Sequence, residues 1–314
     1  MVVFGLLEVK VFKPFIYLLR YPVIRQNLFV LISFLLKSTM FKKTIFLLLF
    51  LFHFSVSSQE QISLISWNIR DFGKTKNSEE LDRMAEIVRD ADIVAIQEVV
   101  TGYGGAQAVA KLADNLNRKG AKWDYVISNP TNSPKYVTER YAFIWKTKNI
   151  KIKNRGALIS ELDSLVDREP FFLDFYFKGR KLSVINFHSR PHDKNPEREI
   201  LAITDYLKSD DFQHPIILAG DFNVDQKEEV FIGLRTQGYN ATVIDAKTTL
   251  KQSCATTDGY LNYPIDNIFY SNKIVLKSGY VIDFVKACEN ISKARELSDH
   301  LPVLLNFSIK ELTE

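Results

Sequence analysis

The sequence predicts an α/β domain in which largely buried sheets are covered by helices. Three observations predict this fold class. Short apolar runs end in polar residues, a helical stripe of apolar residues separates the first two runs, and residues 59–314 are enough chain for one domain with a sizeable core. The clearest run is Ile216–Ala219, between Pro215 and Gly220, which predicts a short strand buried on both faces.

The first half of the domain predicts strands and helices in alternation. Gln61–Trp67 alternates between apolar and polar residues as a strand does. Apolar residues at helical spacing from Leu81 to Val88 predict a helix over Glu79–Asp90, entered after a cap at Ser78. The segments that follow predict, in order, a strand at Asp92–Ile96, a helix at Ala106–Leu116, and strands at Trp123–Ser128 and Arg140–Trp145.

The second half predicts a hairpin and a helix that lead to the strand at Ile216–Ala219. Phe171–Phe177 and Lys181–Phe187 flank a short turn containing Gly179, as in a β-hairpin. Pro196–Lys208 predicts a helix with proline at an early position. The remaining predictions are a short helix at Glu228–Arg235 and strands at Asp266–Tyr270, Tyr280–Phe284 and Leu301–Phe307.

Polar residues of a narrow kind stand at the ends of these predicted strands. Each of them alone is more often a cap or a turn, and Gly-Asp-Phe-Asn at 220–223 has that alternative reading. Together they offer oxygen atoms to a hard metal ion and imidazoles for proton transfer. The eight residues are Asn68, Glu98, His188, Asp221, Asn223, Asp266, Asp299 and His300.

The chain has a net charge of +4, and its excess of basic residues lies in the first 58 residues. Residues 59–314 hold 34 of the 41 lysines and arginines and 36 of the 37 acidic residues, a net charge of −2, which is no nucleic-acid footprint. Met40–Ser58 has the basic start, apolar centre and small final residues of a secretory signal. We interpret residues 1–39 as a misassigned start, with a membrane anchor as the alternative. We therefore expect a secreted or periplasmic protein without stable membrane association after signal removal.

The chain has two cysteines, Cys254 and Cys288. An even number of cysteines in an exported protein predicts one disulfide, whose loop closure contributes about 3–4 kcal/mol in the chain-entropy model. Two free buried thiols are the alternative.

Eight segments resemble the endonuclease/exonuclease/phosphatase superfamily and, within it, the deoxyribonuclease I branch. They occur in the family's order and cover nearly all of residues 59–314. Three motifs are widespread in the superfamily: Gln97-Glu98, Gly220-Asp-Phe-Asn and Ser298-Asp-His. Glu139-Arg-Tyr instead points to the deoxyribonuclease I branch. The segments are Trp67–Lys76, Asp92–Val99, Glu139–Phe143, Arg168–Pro170, Asn186–Ser189, Gly220–Asn223, Ile265–Ile268 and Ser298–Val303.

This resemblance implies a four-layer sandwich of two packed mixed β-sheets flanked by helices, with the active site at one edge. It implies a catalytic imidazole pair, His188 and His300, oriented by Glu139 and Asp266. Asp221 and Asn223 are implied to contact the metal or the scissile phosphate. The implied ligands of Mg²⁺, or alternatively Mn²⁺, are Asn68, Glu98 and Asp299, and the implied substrate contacts are Arg70, Arg168, Tyr136 and Asn267.

The sequence departs from the branch pattern at positions that touch DNA. Val100 stands where the branch has an arginine that reaches into the minor groove. Val137 stands where it has a tyrosine that packs on a sugar, and Tyr136 comes one residue earlier. These changes bear on the grip on duplex DNA, since groove contacts set substrate preference. Asp163–Glu169 resembles a Ca²⁺ loop only loosely, so a structural Ca²⁺ is a further expectation, and the cysteines do not match the disulfides of the branch.

The functional hypothesis is a secreted, divalent-metal-dependent, monomeric endonuclease that hydrolyses DNA without sequence specificity and leaves 5′-phosphate ends. The first alternative is a phosphodiesterase of the same superfamily that acts on lipid headgroups or small phosphate esters. The second is a non-catalytic binding module on the same fold.

Overall fold

The computed structural model describes residues 61–134, 136–209, 212–255 and 259–310, which form two β-sheets packed face to face with helices outside. The predicted four-layer sandwich is confirmed. The expected signal and misassigned start in residues 1–58 lie outside the described residues.

The first sheet contains six strands, and only its central pair, β1 and β2, is parallel. From one edge to the other the strands are β14 (Ile274–Val281), β15 (Val303–Ile309), β1 (Ile62–Phe72), β2 (Ile93–Val100), β4 (Glu139–Lys146) and β3 (Trp123–Ile127).

The second sheet contains seven strands, and its parallel pair is β8 with β9. Its path is β10 (Tyr239–Ala241), β13 (Asp266–Ser271), β9 (Ile216–Asp221), β8 (Arg180–His188), β7 (Phe171–Phe177) and β5 (Ile150–Ile152), and β6 (Ala157–Leu158) also pairs with β7. A separate two-stranded sheet joins β11 (Leu250–Ala255) to β12 (Gly259–Leu261).

Five α-helices lie among the described residues: α1 (Ser78–Val88), α2 (Gly105–Asn117), α3 (Glu197–Ser209), α4 (Ile232–Thr236) and α5 (Ile291–Leu297). Short 3₁₀ turns occupy Ser160–Leu162, His192–Lys194, Glu229–Phe231 and Cys288–Asn290. Helices α1 and α2 cover the outer face of the first sheet, and α3 and α4 cover the outer face of the second.

The period-two alternation of the strands fills both sides of each sheet. Along β2, Ile93 and Ala95 enter the core between the sheets, whereas Val94 and Ile96 pack under α1 and α2. This two-sided burial is why the central strands consist of continuous apolar runs.

Several sequence predictions of local structure are corrected. The cap of α1 is Asn77, not Ser78, because the Asn77 side chain and Glu80 form a reciprocal capping box. The strand predicted at Tyr280–Phe284 is instead β14, which ends at Val281. β14 is an edge strand whose middle residues are exposed, so it lacks an apolar pattern.

The predicted hairpin is confirmed: β7 and β8 pair from Phe177 and Arg180 outward, with positive φ at Lys178 and Gly179 as in a type I′ turn. The predicted disulfide between Cys254 and Cys288 is present, with 5.5 Å between the Cα atoms. Within the described ranges, no helix is both long and apolar enough to cross a membrane.

Candidate active site

The topology brings polar residues from both sheets to one edge of the sandwich. In the first sheet, Val100 pairs with Glu139, so the end of β2 lies beside the start of β4. In the second, His188 pairs with Asp221 at the ends of the parallel strands, and Asp266 opens β13 opposite Asp221. Asp266 is therefore the first residue of its strand rather than the residue after an apolar run, and the antiparallel pairing brings it to the shared edge.

The first imidazole–carboxylate pair joins the two sheets. His188 Nδ1 lies 3.1 and 3.0 Å from the two carboxylate oxygens of Glu139, and both side chains are buried. Arg168 stands on the other side of Glu139, with Nε 3.2 Å from Oε2. Burial alone would lower the pKa of His188, but the charge of Glu139 raises it above its ordinary value while Arg168 opposes the rise.

The second pair consists of His300 and Asp266. His300 Nδ1 lies 3.0 and 2.9 Å from the Asp266 oxygens, and the Thr248 hydroxyl donates to Asp266 Oδ2 at 2.7 Å. The Trp67 indole donates to the His300 carbonyl at 2.9 Å and fixes the backbone.

The charges around this second pair favour the protonated form of His300. Burial alone would lower the pKa of His300, but Asp266 and Asp221 raise it to about 10. Burial raises the pKa of Asp266 to about 6, against the opposing effect of His300.

Asp221 lies between the two imidazoles. Its Oδ2 is 3.5 Å from His188 Nε2 and 3.8 Å from His300 Nε2. Its Oδ1 accepts from the backbone N–H of Asn223 at 2.9 Å. The strand can approach β8 this closely because position 220 is glycine: a Cβ there would lie 1.7 Å from the Phe187 carbonyl oxygen. The arrangement leaves two Nε2 atoms facing one region of the edge.

Asn68 and Glu98 provide oxygen donors suited to a divalent cation. The Asn68 amide nitrogen lies between two carboxylates, 2.9 Å from Glu98 Oε1 and 3.1 Å from Asp221 Oδ2. Asn68 Oδ1 is buried and has no hydrogen-bond partner among the described residues. Two converging carboxylates and an unsatisfied amide oxygen are the hard donor set that Mg²⁺ or Mn²⁺ prefers, so these residues fit such an ion.

A second group of donor atoms, from Asp221, Asp266 and His300, lies within 4.8 Å of one another. His300 Nδ1 in this group is engaged by Asp266. Asp299 was predicted as a metal ligand, but its Oδ2 is paired with Arg70 at 3.2 Å and Arg295 at 3.4 Å. The role of Asp299 as a metal ligand stays a prediction.

The four predicted substrate residues fall in different environments. Arg70 is partly exposed at the edge through its pair with Asp299. Tyr136 has a 90% exposed side chain. Arg168 points inward, with Nη1 donating to the Ser189 carbonyl at 3.0 Å, so it supports Glu139 rather than reaching outward.

Asn267 is a correction of the sequence prediction. Its side chain is buried, Oδ1 accepts from the backbone N–H groups of Thr242 and Val243, and Nδ2 donates to the Val243 carbonyl at 2.9 Å. These bonds hold the chain after β10, so the side chain does not reach the substrate side. Asn223 has φ of 53°, and its Nδ2 donates to the Ser189 carbonyl at 3.2 Å.

The expected Ca²⁺ loop shows internal bonding. Asp163 accepts from the Asn132 side chain at 2.9 and 3.2 Å, and Glu169 accepts from the Asn132 backbone N–H at 2.8 Å. The Ca²⁺ expectation therefore stays a prediction.

Two features were missed by sequence reasoning. Thr248 binds Asp266, but it lies in a segment without a pattern that marks it. Gln97 and Asn186 form a buried link between the sheets, with Gln97 Nε2 donating to Asn186 Oδ1 at 2.6 Å and Asn186 Nδ2 donating to the Ile96 carbonyl at 3.0 Å. Gln97 and Asn186 lie in motifs that carry the resemblance, close to Glu98 and His188. That position was the sequence signal that could have identified them.

Comparison with known proteins places these residues in a family context. The profile of the Endonuclease/Exonuclease/phosphatase family matches residues 65–300. Deoxyribonuclease gamma of Rattus norvegicus is 29% identical over 81% of this chain and 87% of its own length. Deoxyribonuclease-1 of Oryctolagus cuniculus is 28% identical over 77% of this chain and 91% of its own.

Solved structures share the fold at lower identity. An endonuclease/exonuclease/phosphatase from Bacteroides vulgatus has a TM-score of 0.56 and 18% identity, and the match covers 80% of this chain and all of that one. The human Nocturnin catalytic domain, solved with a bound sulfate anion, has a TM-score of 0.53 and 19% identity over 80% of this chain and 95% of its own. At these identities the likeness speaks for the fold.

Proposed function

The chain belongs to the endonuclease/exonuclease/phosphatase family, and we propose that it is a secreted, divalent-metal-dependent endonuclease that hydrolyses DNA phosphodiester bonds to leave 5′-phosphate ends. One observation carries the proposal: two imidazole–carboxylate pairs direct their Nε2 atoms toward Asp221, beside the oxygen donors of Asn68 and Glu98. The relatives named deoxyribonucleases support DNA as the substrate. The disulfide supports an oxidising compartment.

In this proposal the two imidazoles take different roles in hydrolysis. A water molecule attacks phosphorus and loses a proton, the bond to the 3′ oxygen breaks, and that oxygen gains a proton, so that the phosphate stays on the 5′ side. His300, held charged by Asp266 and Asp221, is suited to donate a proton to the departing 3′ oxygen. His188, whose pKa rise is opposed by Arg168, is suited to accept the proton of the water.

The remaining residues would orient the imidazoles and help to neutralise the charge of the phosphate. Glu139 and Asp266 hold Nδ1 of each imidazole, so that Nε2 faces the phosphate. Asn68 and Glu98 would hold the divalent ion, which when bound supplies positive charge to the phosphate oxygens as charge develops in the transition state. Asn223, next to Asp221, is placed to contact the same phosphate.

The experiment is a substrate panel with the residues 59–314 fragment, purified with its disulfide. Plasmid DNA, sphingomyelin vesicles and bis(p-nitrophenyl) phosphate are each incubated with Mg²⁺, with Mn²⁺ and with chelator. We expect metal-dependent plasmid nicking whose products can be ligated directly, as 5′ phosphates allow. Hydrolysis of sphingomyelin or the small ester without nicking would contradict the proposal, as would nicking that is unchanged by chelator.

A further inference from the structure

Three exposed tyrosines lie on separate loops that adjoin elements of the candidate active site. Tyr103 is 82% exposed, Tyr136 is 90% exposed and Tyr263 is 61% exposed. A tyrosine ring combines an apolar face with a polar end suited to a wet interface.

The topology places all three loops at the catalytic edge. Tyr103 follows β2 three residues after Val100, and its loop packs on the chain after β1, since a Cβ at Gly104 would lie 2.6 Å from the Lys74 backbone nitrogen. Tyr136 precedes Glu139, the first residue of β4, by three residues.

Tyr263 flanks the His300 pair in the same way. Its carbonyl accepts from the backbone N–H groups of Thr248 and Thr249, at 2.8 and 3.1 Å. Thr248 binds Asp266, and Thr249 forms an isolated bridge with His300. The backbone of this exposed tyrosine is therefore bonded to the two threonines that contact Asp266 and His300.

The same edge is poorly equipped to grip a duplex by charge or groove contact. The resemblance leads us to expect an arginine at position 100, but this residue is Val100, which is half-buried and apolar. Its side chain packs against Gly73, where an added Cβ would lie 2.4 Å from Val100 Cγ2. The arginines flanking the site have protein partners: Arg70 pairs with Asp299, Arg168 with Glu139, and Arg190 with Asp167 and Glu199. Residues 59–314 carry a net charge of −2, so the domain as a whole has no excess of positive charge for phosphates.

We propose that Tyr103, Tyr136 and Tyr263 form a stacking rim for the bases of single-stranded DNA, so that the enzyme prefers single strands to duplex. Aromatic side chains stack on any base, but only when the base is free of its duplex neighbours. The inference rests on the proposed function, because it names the form of substrate that the same site takes.

The test measures binding without cleavage. Fluorescence anisotropy in chelator compares a labelled single-stranded 12-mer with a labelled hairpin duplex of matched composition. We expect the wild-type fragment to bind the single strand more tightly. Tyr103→Ala, Tyr136→Ala and Tyr263→Ala should each weaken single-strand binding by about fivefold or more, with less than about a twofold change for the duplex.

Two controls separate stacking from folding. Tyr103→Phe and Tyr263→Phe keep the ring and should keep the affinity. Tyr176→Ala removes a tyrosine from the opposite end of the second sheet, where Tyr176 pairs with Lys181 and its ring lies 4.2 Å from Lys153 Nζ, and should bind as the wild type. Thermal melting by circular dichroism identifies any variant that does not fold.

The outcomes distinguish this inference from the proposed function. Equal or tighter duplex binding by the wild type, or unchanged single-strand affinity in the three folded alanine variants, overturns the stacking rim. Cleavage with Mg²⁺ is scored separately on both DNA forms. A wild type that cleaves neither form overturns the proposed function, whereas equal kcat/KM on both forms overturns only the preference.

Discussion

The two imidazole–carboxylate pairs have the same internal geometry but different groups behind the carboxylate. Glu139 carries a buried arginine at 3.2 Å, whereas Asp266 carries the neutral hydroxyl of Thr248 at 2.7 Å. A cation behind the carboxylate weakens its pull on the imidazole proton, and a hydroxyl does so far less. Two histidines with similar carboxylate partners are therefore made chemically unequal by the residue that contacts each carboxylate.

The largest expected effect is the loss of either imidazole. His188→Ala and His300→Ala should each lower plasmid nicking about 100-fold or more, because each removes one of the two proton-transfer groups. Initial nicking rates at pH 7 with Mg²⁺ measure this. Near-normal rates in either folded variant would reject its assignment, and His214→Ala, a histidine outside the catalytic edge, is the matched control.

Replacing the two carboxylates should shift different limbs of the pH profile. Asp266→Asn removes the charge that raises the pKa of His300, so the alkaline limb of kcat/KM should move to lower pH. Glu139→Gln removes the charge that raises the pKa of His188, so the acid limb should move to lower pH. Rates at the optimum should fall about tenfold or more. Profiles in which both variants shift the same limb would contradict the unequal roles.

The stability of the metal-free protein should depend on pH through His300. Its folded-state pKa, about 10, exceeds its ordinary value of about 6.5, so its stabilising contribution is complete below that value and is lost as pH rises to about 10. Urea unfolding in chelator from pH 7 to 10 should show the stability difference between wild type and His300→Gln shrinking, by up to about 1.4 kcal/mol per pH unit. His188→Gln should show a shallower change. A difference that is constant with pH would reject the ion pair.

The smallest expected effect comes from the hydroxyl behind Asp266. Thr248→Val removes the donor to Asp266 and the acceptor of the Asp266 backbone N–H, and should destabilise the fold by about 1–3 kcal/mol with a modest loss of rate. Thr248→Ser keeps the hydroxyl and is the control. Wild-type stability in Thr248→Val, measured by urea unfolding, would show that the hydroxyl is not needed.

The sequence allowed the central architecture to be predicted because its strands are buried on both faces. Ile216–Ala219 and Ile93–Ile96 are continuous apolar runs, and such runs favour strands buried on both faces. β14 escaped prediction because Lys277 and Ser278 face solvent at the sheet edge, where burial imposes no pattern.

The site was predictable in its members but not in its pairings. Polar groups after apolar runs mark Glu98, His188 and Asp221, yet nothing in their spacing says that Asp221 faces two imidazoles. The family resemblance implies that Asp299 is a metal ligand. Its partner Arg70 lies 229 residues away, so only the folded chain shows that the charge is already balanced.

The link between Gln97 and Asn186 joins the two sheets that carry the candidate site. Glu98 and Glu139 belong to one sheet, and His188, Asp221 and Asp266 belong to the other. Neither sheet alone holds a complete set of the candidate proton-transfer residues, so the candidate site exists only once the two sheets have packed together.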